Sequence, residues 1–213
     1  MVAIIRHSIF FTLTLILLVF SSCSTKKNTW LNRSYHNTTA KYNGYFNGNE
    51  SLKKGVKKIY KEHKEDYSKI LPVYRFEDLA KEKNSHTYMD KAIRKGSVVI
   101  QKHSMKIKGK EYCRWIDDNY LLVGKGYFYK GEFEEALKTF RYIESEYSKN
   151  EIRFDAAIWL IKSYSHNEDF VAAEAELDKL NIKSCIKETS SKLISHLNYK
   201  AIETNKYLIC FTP

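Results

Sequence analysis

The chain is poor in the residues that break helices. Only two prolines and eight glycines occur in 213 residues, against 16 tyrosines and 11 phenylalanines. Collagen-like, proline-rich and glycine-rich linker compositions are thereby excluded, and a globular, mainly helical chain is expected. Cysteine is also scarce. There are four, with no C-x-x-C pair, and Cys113, Cys185 and Cys210 are an odd set once Cys23 is set apart. A disulfide framework is therefore not expected; a Cys113–Cys185 bridge and buried free thiols both stay open. Catalytic and metal signatures are missing too. His36, His63, His86, His103, His166 and His196 show no H-E-x-x-H or H-x-x-x-H spacing, as a helical metal site would require. Gly124-x-Gly126 falls inside a helical pattern with no strand before it. No G-x-S-x-G is present. Asp117 and Asp118 are adjacent, so on a helix they point apart. No enzymatic activity, metal or non-covalent cofactor is expected.

Long apolar runs are absent as well. The stretch Ser8–Phe20 falls short of the roughly 18 residues that read as a membrane span, and matches the apolar region of a secretory signal. Arg6 and His7 precede it, and Ser21-Ser22-Cys23 follows. Phe20-Ser21-Ser22-Cys23 resembles a bacterial lipobox, with phenylalanine where leucine is usual. The resemblance implies a signal peptide over 1–22, a lipid on Cys23 and a mature chain that works at a membrane surface outside the cytoplasm. No aspartate follows Cys23, and Lys26 and Lys27 suit anionic headgroups. A soluble secreted protein and a short membrane anchor are the alternatives.

Charge is unevenly placed. Residues 24–110 hold 21 Lys+Arg and 8 Asp+Glu, a net +13, whereas residues 111–213 hold 14 and 17, a net −3. Lys53-Lys54, Lys57-Lys58, Lys61 and Lys64 recur at helical spacing with Tyr60 and Tyr67 among them. Nothing else in the chain resembles a nucleic-acid module. The lysines suit a solvated helix face, or one resting on anionic membrane or cell-wall polymer.

What the second half contains is a repeat. A shift of 37 places Val123 on Leu160, Tyr127 on Tyr164, Gly131 on Glu168, Phe133 on Phe170, Ala136 on Ala173, Phe140 on Leu177 and Ile143 on Leu180. Each copy reads as two amphipathic helices across a tight turn, at Lys130-Gly131-Glu132 and at His166-Asn167-Glu168-Asp169. The pattern resembles the tetratricopeptide repeat, which implies an all-α helical-hairpin array, an α-solenoid. In such an array Gly124, Tyr127, Ala136, Phe140, Tyr164 and Ala173 would pack the repeats, with Gly124 and Ala136 at the close approach. Ile161 replaces the small residue in the second copy. Two complete repeats are expected at about 117–150 and 154–187, within a repeat region at 111–213. Ile194, Leu197 and Ala201 begin a third, and the apolar end Tyr207–Pro213 gives the array the look of one cut short.

Before it lie an anchor linker (23–35) and a basic helical region (36–110). There Thr39–Asn47 and Glu50–Tyr67 read as a cryptic hairpin around Asn47-Gly48-Asn49. Ile70–Phe76 is expected to be extended because of Pro72. Met89–Met105 is expected to be a helix, and Lys106–Lys110 a charged linker. Tyr35-His36-Asn37-Thr38-Thr39-Ala40-Lys41-Tyr42-Asn43, Tyr45-Phe46-Asn47-Gly48-Asn49-Glu50, Leu71-Pro72-Val73-Tyr74 and Gln101-Lys102-His103-Ser104-Met105, taken in order after Cys23, resemble the PorW/SprE-type lipoproteins of the Bacteroidota. That resemblance implies a lipid-anchored, periplasm-facing protein of the outer membrane that serves type IX secretion and gliding motility. It implies protein partners, no nucleic acid, no small-molecule substrate and no catalytic residues. Because the first helix of each tetratricopeptide repeat lines the concave groove, the resemblance places Lys125, Phe128 and Tyr129 beside Lys162, Ser165 and His166 as the partner-binding set, suited to an acidic or extended peptide. A cell-envelope polymer binder, of peptidoglycan or polysaccharide, is the alternative function.

Overall fold

The structure, a computed structural model, describes residues 10, 24–64, 67, 68 and 83–180. Cys23, Ile70–Phe76, Cys185, Cys210 and the third repeat at Ile194, Leu197 and Ala201 lie outside the described residues. Within them the chain is an all-α array of helical hairpins, each helix packed on its neighbours in sequence.

The first hairpin differs from the one the sequence suggests. Helix α1 (Trp30–Thr39), a π-helical segment (Ala40–Phe46) and α2 (Asn47–Glu62) form one rod, since the junction residues Ala40 and Asn47 keep right-handed helical backbone. Asn47-Gly48-Asn49 is therefore not a turn. Its glycine serves a close contact instead. Gly44, Gly48, Ser51 and Gly55 share one face, and a Cβ at Gly44 would stand 1.8 Å from Val99 Cγ2, at Gly48 2.6 Å from Leu122 Cδ2, and at Gly55 2.6 Å from Met89 Cε. Ser51 Oγ donates to the Tyr88 carbonyl at 2.9 Å. Helix α3 (Lys83–His103) packs along this face. The rod, not a short helix at Thr39–Asn47, is thus the first arm, and α3 the second. The last six residues of the expected linker, 30–35, are helical as well. Of its described residues, 24–29 come before α1, and Asn32 Nδ2 ties them down by donating to the carbonyls of Ser24 (2.8 Å) and Lys27 (3.0 Å).

The expected charged linker is a small β-hairpin, β1 (Lys106–Ile107) against β2 (Lys110–Glu111). Lys108 and Gly109 both have positive φ, 50° and 79°, as a type I′ turn demands. Glu111 fastens it. Its Oε1 accepts the backbone N–H groups of Met105 (2.7 Å), Tyr112 (3.0 Å) and Cys113 (2.9 Å), and its Oε2 accepts from Ser104 Oγ at 2.5 Å.

The 37-residue repeat forms the next two hairpins: α4 (Ile116–Lys130) with α5 (Phe133–Glu146), and α6 (Ile152–His166) with α7 (Phe170–Lys179). Their turns agree atom for atom. Glu132 N donates to Tyr127 O and Asp169 N to Tyr164 O; Gly131 N donates to Phe128 O and Glu168 N to Ser165 O. Gly131 and Glu168 both take left-handed backbone, at φ 81° and 58°. That conformation costs a side-chain-bearing residue about 1–2 kcal/mol and a glycine nothing. Glu168→Gly should therefore raise the unfolding free energy by up to about 1 kcal/mol, after the entropy glycine adds to the unfolded chain. Chemical denaturation of the pair of proteins measures it, and a loss of stability would contradict the turn equivalence.

Between the arms, Gly124 makes the close approach: a Cβ there would lie 2.4 Å from Phe140 Cε1. Ala136, Phe140 and Ala173 are fully buried, Tyr164 is buried, and Tyr127 packs on the core from its edge. In the other copy the pair at these positions is Ile161 and Leu177, both buried. The volume given up at 177 offsets the volume gained at 161, so the larger side chain at 161 does not open that hairpin.

Candidate functional site

The first arms of the three hairpins, α2, α4 and α6, face one another across an open groove. Leu52 and Val56 from α2, Tyr129 from α4 and Trp159 from α6 form its apolar floor, and Lys53, Lys57 and Lys125 stand around it, enclosing about 490 Å³. The groove exists because the rod carries its small residues on one face. Gly48, Ser51 and Gly55 seat α2 against α3 and α4, which turns the next stripe, Leu52 and Val56, toward Trp159.

Trp159 is the centre of the charge arrangement. Lys125 Nζ lies 5.2 Å from its ring centroid and Lys162 Nζ 4.5 Å, both within cation–π range. Burial pushes the Lys162 ammonium down to about 8, with the Lys125 charge adding to the effect. Burial lowers Lys125 as well, while Asp155 and Asp118 draw it back up. Asp118 itself is pushed up to about 6, by burial first and by Asp117 second, with Lys125 opposing and Asp155 adding. The Tyr45 hydroxyl is raised by burial, Asp118 and Asp155. Around Lys125, beside the groove, two carboxylates, two ammoniums and a phenol thus act on one another, with burial working against the charge of three of the four ionic groups.

The signs of these shifts fix a pH dependence. Lys162 titrates lower in the folded chain than in the unfolded one, so its charge costs stability below about pH 8, and the cost is relieved as pH rises from 8 toward 10.5. Asp118 titrates higher when folded, so it costs stability above about pH 6, relieved as pH falls toward 4. Replacing Lys162 by methionine should raise the thermal midpoint at pH 7, by on the order of 1 kcal/mol once solvent screening of the partly exposed ammonium is allowed for, and the gain should shrink at pH 10. Thermal unfolding at the two pH values reads this directly; a midpoint lowered at pH 7 would contradict it.

The sequence-derived contact set divides in two. Lys125 and Lys162 meet at Trp159, side by side as their equivalent positions suggest, and Tyr129 lines the groove at 9 % exposure. Phe128 and Ser165 are fully buried and belong to the core rather than to a contact surface. Phe128 packs edge-on against Phe133 of α5 and against Trp159 and His166 of α6, and His166 stacks on Phe133 at 5.4 Å; these rings fill the space between α4, α5 and α6 behind Trp159. Trp159, Tyr45, Leu52 and Val56 were not singled out from the sequence. Trp159 had a usable signal, since it lies one helical turn before Lys162.

Elsewhere, the fold joins residues far apart in sequence. His36 Nδ1 and His103 Nδ1 lie 2.9 Å apart, and burial lowers both imidazoles, His103 further through His36 and Lys102. Cys113 is buried and free, its thiol pushed up to about 11 chiefly by burial and directed at the His36 carbonyl at 3.8 Å; so high a value keeps the thiol protonated and unreactive. Among the described residues no group of three or more His, Cys, Asp or Glu is placed to hold a metal ion, and no helix is long and apolar enough to cross a membrane. No protein-family model matches the chain, and no curated protein matches it.

Proposed function

We propose that the chain is a lipid-anchored scaffold of the bacterial cell envelope, held at the periplasmic face of the outer membrane through Cys23, whose groove holds a protein partner of the type IX secretion and gliding machinery. The observation that carries this reading is the groove itself. Three successive first arms supply an apolar floor ringed by lysines, which suits an extended segment that offers apolar side chains downward and carboxylates to the rim. The half-buried ammonium of Lys162 adds weight, because groups held at a cost to stability are enriched where a protein binds or reacts. The anchor rests on Phe20-Ser21-Ser22-Cys23, and the machinery on the resemblance of the segments from Tyr35 to Met105.

Two variants test the two halves separately. Lys53 and Lys57 are exposed, so Lys53→Glu with Lys57→Glu should change stability by under about 0.5 kcal/mol, while cutting partner capture several-fold in affinity purification from the native cell. Equal capture by the variant would move the binding surface off the groove. Charge reversal at Lys125 and Lys162 is the poorer choice: it would set four carboxylates around Trp159, with Asp118 and Asp155 already there. Cys23→Ala should release the protein from the membrane pellet and abolish labelling by radioactive palmitate; retention and labelling of the variant would rule the anchor out.

A second reading, a binder of cell-envelope polymer, is favoured by one observation, the net +13 over residues 24–110. Salt-sensitive retention of the purified protein on isolated cell wall, unaffected by the groove variant, would favour it over the scaffold.

A further inference from the structure

A larger cavity, of about 660 Å³, lies at the opposite end of the first-hairpin rod from the groove, between α1 and the chain leaving β2. Its size falls within the roughly 300–1,000 Å³ of small-ligand sites. Three cations line it: Arg33 from α1, and Lys110 and Arg114 from the hairpin and the segment after it. Neither guanidinium has an ion-pair or hydrogen-bond partner among the described residues. The one carboxylate in the lining, Glu111, is already saturated by its four donors on the hairpin and pairs with no arginine. Asn37 braces the two sides, its Oδ1 accepting Arg114 N at 2.8 Å and its Nδ2 donating to Tyr112 O at 3.3 Å. The remaining walls are aromatic and hydroxylated. Trp30, which is 70 % exposed, and Trp115 line the cavity together with the hydroxyl-bearing Ser34 and Thr38.

Each part of that lining asks for something different. Two arginines that line one cavity and have no partner among the described residues suit the fork geometry of a phosphate better than any neutral group. A solvent-exposed tryptophan beside hydroxyls offers a ring face and hydrogen bonds to something flat and polyhydroxylated. We infer that this cavity binds a sugar phosphate, the ester held by Arg33 and Arg114 and the ring laid on Trp30 within reach of Ser34 and Thr38. The choice of a sugar over a nucleobase as the ring rests on the envelope location proposed above; the cavity and its cations do not. The sugar phosphate could be free or the headgroup of a lipid, since both present the same chemistry.

The test uses the full mature chain, its tryptophan indole and arginine side-chain signals followed by heteronuclear NMR during titration with glucose 1-phosphate, glucose, inorganic phosphate and adenosine monophosphate. The expected result is saturable shifts at Trp30, Arg33 and Arg114 with glucose 1-phosphate, at least tenfold weaker with inorganic phosphate or glucose alone. Arg33→Gln with Arg114→Gln should abolish the shifts, Trp30→Ala should weaken the sugar ester and leave inorganic phosphate unchanged, and Lys53→Glu with Lys57→Glu should change nothing. Equal binding of inorganic phosphate, tighter binding of the nucleotide, or no saturable shift would each overturn the inference, and none of these would touch the groove reading. Sedimentation with phosphatidylcholine vesicles, with and without phosphatidylinositol, then separates the sources: pelleting that needs both phosphatidylinositol and the two arginines assigns a lipid headgroup, and binding of the free ester alone assigns a free or polymeric one.

Discussion

Putting isoleucine at position 124 should cost roughly 2–3 kcal/mol, and adding Phe140→Leu to it should restore most of that loss. A Cβ at Gly124 would stand 2.4, 2.8 and 2.9 Å from three carbons of the Phe140 ring. Phe140 is fully buried, so the ring has nowhere to go and the hairpin must open; overpacking of this kind costs about 1–3 kcal/mol. Phe140→Leu alone leaves a void under Gly124 and should cost about 1–2 kcal/mol. The double substitution reproduces the Ile161 and Leu177 pair found 37 residues later, where both side chains are accommodated at 0 % and 3 % exposure. A double-mutant cycle by denaturant unfolding should show a favourable coupling of about 1–3 kcal/mol. Additive losses would mean that the two hairpins are not built alike.

The second large effect lies in the rod. An alanine at Gly44 would place its Cβ 1.8 Å from Val99 Cγ2 and 3.2 Å from Val99 Cβ. Two terms compete. Alanine is better than glycine in a helix interior by about 1 kcal/mol, while overpacking a fixed contact costs about 1–3 kcal/mol. Val99 decides the sign, because it is 2 % exposed on α3 and its branched side chain has few alternative rotamers in a helix. Gly44→Ala should therefore lose about 1–2 kcal/mol net, and Val99→Ala in the same chain should recover much of it. An alanine that stabilises would mean the rod does not lie against α3 at this register. Pairing them separates this contact from the general dislike of helices for glycine.

These two sites also show why one part of the fold was legible and another was not. The 37-residue period could be read because both copies need the same small residue, at Ala136 and Ala173, and the same left-handed turn residue, at Gly131 and Glu168. A period survives even where one member departs, as Glu168 does. The first hairpin has no copy to compare with. Gly48 between two asparagines carries the composition of a turn, and nothing local says that its missing Cβ makes room for Leu122, a residue far along the chain. A turn at that glycine would divide the rod into a hairpin of its own, whereas the continuous rod packs on α3. The groove followed the same rule. Lys125 and Lys162 are legible through their equivalence, but Leu52 and Val56 reach it only through the rod. Phe128 was misplaced for a related reason. A helix hydrophobic on several sides, as Leu121, Leu122, Val123, Phe128 and Tyr129 make α4, gives no periodic sign of which apolar residue faces the groove and which faces the second arm.

The measurement closest to the centre of the account is site-specific photocrosslinking in the native cell, with the reactive residue at Lys57 on the groove and, separately, at Val171 on α7, which is 73 % exposed and belongs to a second arm. The account predicts an adduct with a protein of the envelope from position 57 and not from 171, recovered in the membrane fraction and lost with Cys23→Ala. An adduct formed equally from both positions, an adduct with cell-wall polymer instead of protein, or an adduct recovered from the cytoplasm would contradict it.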